Sequence, residues 1–382
     1  PPKPPFMNEA LIAFRNSINC FFYKQALKRI FFRLDPEKVH DRITFIGVLL
    51  GKNILTRKLT KFNYSYSNKI LEQKILGIKF KNPVGLAAGF DKNGELTDII
   101  PNVGFGFMEI GSITGNPCSG NPKPRLWRLK KLKSLVVNYG LKNNGCEEIS
   151  KRLKNKKFEI PIGTSIAKTN CKETVETGEG IKDYLKGFKS FTEIGDYYTI
   201  NISCPNAFGG QPFTDAKKLD LLLNEIDKVK TKKPIFLKIS PDLSKKEVDK
   251  ILETSSKHRI HGFICANLTK KVKNEFRKFP DALKGGLSGK ATEDLANDLI
   301  SYLYQRSKGK YVIIGVGGIF SKEDAYKKIK LGASLVQLTT GMIFEGPQLI
   351  SQINKGLVQL LKKDKLTSIS QAVGLASKGE AF

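Results

Sequence analysis

Apolar residues near the start of the chain recur mostly every three or four positions. This spacing runs from Asn8 to Leu34 and is typical of an amphipathic helix. The pair Asp35-Pro36 then predicts an N-cap followed by proline at the first position of a second helix. Gly51 suits the C-terminal end of that helix. The apolar positions are Leu11, Phe14, Ile18, Phe21, Phe22, Leu27, Ile30, Phe31 and Leu34 in the first helix, and Val39, Ile43, Ile46 and Leu50 in the second.

Beyond residue 80 the pattern changes to short apolar runs rich in β-branched residues, with segments between them long enough for helices. Eight such runs predict an α/β fold, a (β/α)₈ TIM barrel, with an open doubly wound sheet as the alternative. The runs are PVGLAAG from Pro83, FGFMEIGS from Phe105, IPIGTSIA from Ile160, YYTINIS from Tyr197, PIFLKIS from Pro234, GFICAN from Gly262, YVIIGVGG from Tyr311 and SLVQLTT from Ser334.

These patterns divide the chain into three parts. Residues 1–7 are interpreted as a disordered lead or an expression remnant, residues 8–62 as a helical region and residues 63–382 as the barrel. The two helices carry a basic side as well as an apolar one, which is typical of an interfacial membrane anchor. Packing of both helices onto the barrel or onto a partner subunit explains the pattern equally well. The basic positions are Arg15, Lys24, Lys28, Arg29, Lys38, Arg42 and Lys52.

Composition narrows the function classes. The 382 residues carry a formal net charge of +29, but the lysines are spread along the whole chain, which favours a solvated lysine-rich surface over a nucleic-acid face. Six cysteines are scattered singly and only three histidines occur, so no metal site is predicted and a reducing cytosol is favoured. No apolar run is long enough for a transmembrane helix.

Polar residues cluster where the predicted strands end. Lys92 follows the first run, Ser112 ends the second, Cys204 follows the fourth, Lys238 lies in the fifth and Asn267 ends the sixth. Because barrel enzymes build their active sites at the carboxyl ends of the strands, these side chains are expected at one rim.

Two glycine-containing loops predict a phosphate site at the same rim. GVGGIFSKEDA, from Gly315, places glycines at a strand end and a serine before a helix, and TTGMIFEGP, from Thr339, follows the eighth run. Backbone N–H groups at such glycines and at helix N-termini bind phosphate well. A phosphorylated cofactor or substrate is therefore predicted, although glycines that only turn the chain give the same pattern.

Cys204 lies in the segment NISCPN, between two asparagines and before Pro205. A buried cysteine is most often an inert small side chain. A thiol beside polar groups and cations can instead act as a base or an acid, and Lys92 and Lys238 are the candidate cations. No histidine lies near a rim-forming strand end, since His261 precedes the sixth strand, so a Cys-His hydrolase is disfavoured.

Several motifs together resemble the dihydroorotate dehydrogenase family, in matching order from about Phe32 to about Ile353. The resemblance implies an FMN-containing barrel that oxidises dihydroorotate to orotate in pyrimidine biosynthesis, with Cys204 as the base. The motifs are GLAAGFDKNGE, EIGSIT, NPKPRLWRL, NISCPN, LKISPDL, GGLSGKA, IIGVGGI and GASLVQLTTGMIFEGP.

The same resemblance implies the binding residues. Those expected to hold FMN are Ala88, Gly89, Lys92, Ser112, Ser165, Asn201, Lys238, Gly289, Gly318, Thr339 and Thr340. Those expected to hold substrate are Lys92, Asn138, Gly140, Leu141, Asn143, Asn201, Asn206 and Asn267.

The branch of the family is mixed. The segment FYKQALKRIFFRLDPEKVHDRITF resembles the quinone-dependent, membrane-associated class, whose base is normally serine, whereas NISCPNAFGGQPF resembles the soluble class, which uses cysteine and reduces fumarate or NAD. Quinone is the favoured acceptor, which implies a peripheral membrane protein on the cytoplasmic side. A class 1-like enzyme would be soluble and cytoplasmic.

The chain also departs from the family pattern around the predicted substrate loop. The segment VNYGLKNNG has Val137 where the quinone-linked pattern has asparagine, so either Asn138 takes over the contact or the loop is shifted by one residue. Ser165 and Ala266 replace residues that usually contact flavin, and Leu268 replaces a common substrate-binding threonine.

Two other functions fit parts of the sequence. A tRNA dihydrouridine synthase is also a basic FMN barrel with a cysteine-proline pair, but Asn206, the DKNGE loop and the amphipathic front fit the dehydrogenase better. A flavin-binding barrel that has lost its substrate site is a non-enzymatic alternative. Orotate would leave the spectrum of its bound flavin unchanged.

Overall fold

The computed structural model describes residues 9–271 and 274–377. Eight parallel strands form a closed barrel. Each strand pairs with the barrel strands before and after it in the sequence, and the eighth pairs with the first. Each of the eight predicted runs overlaps one of these strands, so the (β/α)₈ barrel is confirmed. The barrel strands are Val84–Leu86, Phe107–Ile113, Ile162–Ile166, Tyr197–Asn201, Ile235–Ile239, Gly262–Cys265, Val312–Val316 and Leu335–Leu338.

Helices cover the outside of the barrel and follow the strands in order. Their buried faces carry leucine and isoleucine at helical spacing, as in the helix Ala216–Asp227, where Leu219, Leu222, Leu223 and Ile226 are buried. The helices after successive strands are Ile100–Val103, Cys146–Leu153, Thr177–Ser190, Ala216–Asp227, Lys245–Ser256, Glu293–Arg306, Lys322–Lys330 and Leu349–Lys363, with the shorter Asn274–Arg277 and Thr340–Glu345 in loops.

Large aromatic side chains fill one end of the barrel interior. Gly85 and Gly163 leave the space that these rings occupy, since a Cβ would lie 2.3 Å from the Phe107 ring at Gly85 and 2.2 Å from the Tyr197 ring at Gly163. Phe236 packs edge-on to Tyr197 with the ring centroids 5.3 Å apart. This packed layer leaves the carboxyl ends of the strands as the end at which a cavity can form.

Two small antiparallel sheets lie outside the barrel. One pairs Gln73–Ile75 with Ile78–Phe80. The other has three strands, in the order Gly286–Gly289, Ser134–Val137 and Leu126–Leu129, and stands beside the carboxyl ends of the barrel strands.

The first predicted helix forms as Glu9–Phe22, continues through a π-helical turn at Tyr23–Leu27 and ends with Lys28–Phe31. Most of its predicted apolar stripe faces outward: Phe14 and Phe21 are 65% and 69% exposed, whereas Ile12 and Asn16 face the barrel. Asn16 donates a hydrogen bond to the hydroxyl of Ser351 on the last barrel helix. The helix is therefore held on the barrel partly by polar contacts, which leave most of its apolar stripe uncovered.

The second predicted helix forms as Pro36–Lys52, and Asp35 caps it by accepting a hydrogen bond from the Lys38 N–H. Gly51 does not end this helix, which continues to Lys52. A Cβ at Gly51 would lie 3.1 Å from the Cβ of Asp98, so this glycine permits close packing of the helix on the barrel.

A third helix, Ile54–Tyr64, follows at once and was missing from the two-helix prediction. Asn53 ends one helix and caps the next, because its side chain accepts a hydrogen bond from the Leu55 N–H. The segment 1–7, predicted to be a disordered lead or an expression remnant, lies outside the described residues. Within the described part of the chain, no helix has both the length and the apolar character needed to cross a bilayer.

Candidate active site

A cavity of about 600 Å³ opens at the carboxyl ends of the barrel strands and extends under the N-terminal helices. Its wall has a polar part and an apolar part. The polar part comes from the ends of the strands, including Asn201, Cys204 and Lys238. The apolar part includes the predicted face of the second helix, with the side chains of Val39, Ile43, Ile46 and Leu50.

Amide and hydroxyl groups in the polar part hold one another in place. The Nδ2 of Asn201 donates to Ser112 Oγ at 2.8 Å, and the Nδ2 of Asn267 donates to the Oδ1 of Asn201 at 3.2 Å and to Ser203 Oγ at 3.0 Å. Ser112 Oγ in turn lies 2.7 Å from Ser165 Oγ. These contacts fix the orientation of both amides, which can then present polar atoms to a planar polar ligand.

Cys204 follows the fourth strand and borders this part of the cavity. Burial raises the pKa of its thiol, and this effect is partly opposed by the Asn206 backbone N–H and by the positive charges of Lys168 and Lys238. The thiol can act as a base only in its thiolate form, so these neighbouring groups determine how much base is present.

Lys238 lies in the fifth strand and is buried. Burial lowers the pKa of its ammonium group, while the nearby Glu109 carboxyl and the Cys204 thiol raise it. Glu109 is itself buried inside the barrel, and it accepts a hydrogen bond from the Thr199 hydroxyl. Burial raises the pKa of Glu109.

Lys92 reaches the cavity from the loop after the first strand. Its Nζ lies 3.0 Å from Nε2 of His40 and 4.3 Å from the centre of the Tyr139 ring. Burial and the charge of Lys142 lower the pKa of Lys92 to about 8. Burial and the charge of Lys92 lower the pKa of His40 to about 3, so His40 is neutral and accepts from the ammonium group. A helix residue thus takes part in positioning a rim cation.

The two glycine-containing loops and the three-stranded sheet meet at another part of the wall. Gly289, Gly317 and Gly318 all have positive φ values, which glycine adopts without strain. The hydroxyl of Thr340 lies 2.9 Å from that of Ser288, and the Thr339 hydroxyl is buried without a hydrogen-bond partner among the described residues. An unpaired buried hydroxyl beside backbone N–H groups of such glycines can bind a phosphate.

The structure brings most of the sequence-predicted residues to this one cavity. The predicted residues in the wall are Ala88, Gly89, Lys92, Ser112, Gly140, Leu141, Asn201, Cys204, Asn206, Lys238, Asn267, Gly289, Gly318, Thr339 and Thr340.

Three predicted residues lie outside the wall as the structure describes it. Ser165 is buried behind Ser112, and Asn143 is buried with its Nδ2 donating to the Thr114 hydroxyl at 2.8 Å. The Oδ1 of Asn138 accepts from Asn121, while Val137 lines the cavity instead. The first position of the VNYGLKNNG segment thus presents an apolar side chain to the cavity. A substrate contact from Asn138, or from a loop shifted by one residue, stays a prediction.

The sequence-based prediction did not include three residues that lie near the site. His40 was discounted because no histidine lies at a strand end, yet a helix brings it to Lys92. Glu109 is the one charged residue in the apolar second strand, and a carboxyl group inside such a strand could have indicated it. Lys168 follows the third strand by two residues, a position equivalent to the rim positions that were identified, so the same rule could have found it.

Comparison with known proteins agrees with this geometry. A family model described as Dihydroorotate dehydrogenase matches residues 70–361. A protein of Nostoc punctiforme described as dihydroorotate dehydrogenase (quinone) is 37% identical over 375 residues, which cover 94% of this chain and 99% of the relative. A relative of the same description from Haloarcula marismortui is 37% identical over 312 residues, covering 81% of this chain and 87% of its own.

Solved structures give the same result. The structure of DHODH from Eimeria tenella in complex with ferulenol is similar with a TM-score of 0.79 and 28% sequence identity, covering 90% of this chain and 96% of that chain. The ligand-free form from the same organism has a TM-score of 0.79 and 29% identity, with coverages of 89% and 99%.

Proposed function

This chain belongs to the dihydroorotate dehydrogenase family, and from that premise we propose that it oxidises dihydroorotate to orotate in pyrimidine biosynthesis and delivers the electrons to a quinone. The observation that carries the proposal is the single cavity that joins Cys204 and three asparagines to an apolar mouth between the N-terminal helices. This family assignment replaces the alternative of a tRNA dihydrouridine synthase.

The polar part of the cavity suits the substrate. Dihydroorotate has a carboxylate and a ring with amide donors and acceptors, and Asn201, Asn206 and Asn267 can pair with such groups. Asn206 donates to the Val137 carbonyl at 2.7 Å, and its Oδ1 is buried without a partner among the described residues. Lys92 provides a positive charge for the carboxylate. Gly140 and Leu141 complete this wall.

The residues present fit a flavin, which we propose to be FMN. The unpaired Thr339 hydroxyl and the positive-φ glycines Gly289 and Gly318 suit its phosphate. A Cβ added at Gly89 would meet nothing within 4 Å, so the backbone there faces open space that a ring can approach. Ala88, Ser112, Asn201, Lys238 and Thr340 would complete its binding site. When bound, FMN supplies the acceptor for the hydride that leaves the substrate.

Cys204 is the proposed base. Its thiolate would take the proton from C5, the substrate carbon next to a carbonyl group. The buried cation of Lys238 stabilises negative charge that develops in the cavity and also favours the thiolate. Asn201 and Asn267, held by their hydrogen bonds to Ser112 and Ser203, would keep the substrate ring in place while the proton moves.

The apolar part of the cavity favours a quinone as electron acceptor. The wall there comes from all three N-terminal helices and includes Leu27, Val39, Ile43 and Tyr64. A hydrophobic reactant can enter this apolar part at little cost. Fumarate and NAD are charged, and each would lose hydration there without gaining a polar partner, which is unfavourable. We also propose that these helices associate peripherally with a membrane, where quinones are dissolved.

The test is dihydroorotate oxidation by the purified protein with a short-chain quinone, fumarate and NAD offered separately. Turnover with quinone alone is expected. Turnover with fumarate or NAD would show that the cysteine-containing loop determines the acceptor, as in the class 1-like alternative. The proposed function would be contradicted if the flavin-containing protein turned over with none of the acceptors and its flavin spectrum did not change on addition of orotate.

A further inference from the structure

The loop that follows the fourth strand is fastened to the barrel at Phe208. The side chain of Phe208 is 55% exposed, but both of its backbone polar groups are bound. Its N–H donates to Asn170 Oδ1, and its carbonyl accepts from Lys168 Nζ at 2.8 Å. Both partners come from the turn after the third strand. The position of the loop that begins at Cys204 therefore depends on these two side chains.

Lys168 is an unusual anchor because it is 3% exposed and both of its hydrogen-bond partners are uncharged. Besides the Phe208 carbonyl it donates to the Thr174 hydroxyl at 3.4 Å. Burial lowers the pKa of its ammonium group, while Cys171, Cys204 and Asp183 raise it. A neutral amide at this position could donate to the same carbonyl without the free-energy cost of burying a charge. The positive charge of Lys168 is therefore not needed to hold the loop and is expected to serve another purpose.

The charge acts on Cys204. The positive charges of Lys168 and Lys238 both favour the thiolate form of Cys204. The remaining titratable groups that interact with Cys204 are Cys118, Tyr184 and Lys270.

We propose that Lys168 is a positioning residue for the reaction, which holds the Cys204 loop through Phe208 and supplies positive charge that stabilises the Cys204 thiolate. The inference rests on the proposed role of Cys204 as base. It assigns two tasks to one side chain, and the neighbouring Asn170 performs only the first. The two tasks can therefore be separated by substitution.

The first readout is the reactivity of the Cys204 thiol, which does not depend on turnover. Alkylation of Cys204 by iodoacetamide is followed by peptide mass spectrometry from pH 6 to pH 10 in the flavin-containing protein. Lys168→Met is expected to move the profile to higher pH. At a pH below the midpoint, alkylation of Cys204 should be slower than in the wild type by about tenfold for each unit by which the pKa of the thiol rises. Lys168→Arg keeps the charge and is expected to retain most of the wild-type profile.

Asn170→Ala tests the loop-holding task alone. It removes the acceptor of the Phe208 N–H without changing any charge. It is expected to lower kcat for dihydroorotate and to leave the midpoint of the alkylation profile unchanged.

Lys233→Met is the matched control. Lys233 is also a partly buried lysine that donates to backbone carbonyls, those of Phe191 and Ile194 at 3.1 and 2.9 Å, but it precedes the fifth strand. It is expected to leave both kcat and the alkylation profile unchanged.

An alkylation profile of Lys168→Met that superimposes on that of the wild type would overturn the proposal. If Lys168→Met fails to fold or to retain flavin, Lys168→Gln, which can still donate to the Phe208 carbonyl, decides by the same comparison. A wild-type protein without dihydroorotate oxidation would contradict the proposed function, but the alkylation profiles would still show whether Lys168 supports the thiolate.

Discussion

At the scale of single residues, the proposed chemistry depends on a thiol that is protonated in its resting state. Burial raises the pKa of Cys204, and the neighbouring cations only partly compensate. The proposed reaction therefore has little base available at neutral pH and gains base as the pH rises. A hydroxyl at the same position would have a much higher pKa and would need other groups to take its proton.

Replacing Cys204 by serine tests the base directly. Cys204→Ser is expected to retain flavin and to slow flavin reduction by dihydroorotate by about 10²- to 10⁴-fold near neutral pH, since a positioned base contributes about that much. The wild-type rate should rise with pH until the thiol is ionised, and the variant should lose that rise. Stopped-flow measurement of flavin reduction across pH gives both the rate decrease and the pH dependence. A variant with the wild-type pH profile would contradict the role of Cys204 as base.

Single residues also show what sequence reasoning can and cannot reach. Cys204, Lys238 and Asn267 were found because the end of a strand can be read from its apolar run, and all strand ends share one rim. Val137 and Asn138 could not be distinguished, because which neighbour faces the cavity depends on the pairing of the three-stranded sheet and on Asn121. Lys92 was found, but its partner His40 lies 52 positions away, on the second N-terminal helix.

At the scale of elements, a buried ion pair joins the second N-terminal helix to the rim. Glu37, in the first turn of that helix, accepts from Arg125 at 2.8 Å, and both side chains are buried. Burial by itself would raise the pKa of Glu37, but the hydrogen bond and charge of Arg125 outweigh it and lower this pKa to about 2. Lys123 and Lys142 add positive charge around the same carboxylate.

Breaking this pair should loosen the helix from the barrel. Arg125→Met leaves the Glu37 carboxylate buried without its main partner, which is expected to cost about 3–5 kcal/mol of unfolding free energy. Chemical denaturation measures the loss, and hydrogen exchange should increase first in Pro36–Lys52. Arg57→Met is the control, because Arg57 pairs with the exposed Glu159 and should cost about 0–1 kcal/mol.

The same pair makes stability depend on acid pH. Because the pKa of Glu37 is lower in the folded protein, its contribution is complete above the unfolded value of about 4.3 and is lost as the pH falls toward about 2. Arg125→Met should show a smaller loss of unfolding free energy over this range than the wild type. An equal loss in both proteins would contradict the role given to the pair.

At the scale of the whole molecule, the arrangement of apolar surface supports a membrane-facing side. Exposed apolar side chains are concentrated on the three N-terminal helices, including Phe14, Phe21 and Phe45, each more than 60% exposed. The helical period of these apolar residues could be predicted from the sequence. Whether they face the barrel or the outside could not, because amphipathic helices that pack on a barrel and those that lie on a bilayer have the same pattern. The net charge of +29 adds attraction to anionic lipid.

The membrane proposal is tested by substitution on the surface of the full chain. Phe14→Ser, Phe21→Ser and Phe45→Ser combined should strongly weaken binding to vesicles of phosphatidylcholine and phosphatidylserine, while oxidation with a water-soluble quinone is retained. Cosedimentation measures the binding. Leu221→Ser combined with Leu283→Ser removes exposed apolar groups from the barrel side and should leave binding unchanged. Equal binding by both variants would contradict a membrane-facing role for the helices.

The helical region also supplies part of the reaction chamber, and this has a consequence for how the protein can be divided. His40 and Val39 line the same cavity as Cys204, and a Cβ at Gly47 would lie 2.7 Å from Leu96 of the barrel. The helices and the barrel thus share one cavity and one close-packed contact, and they are not interchangeable modules. A truncation that removes these helices also opens the chamber to solvent. A graft of the same helices onto another barrel would need a rim that matches their packing surface.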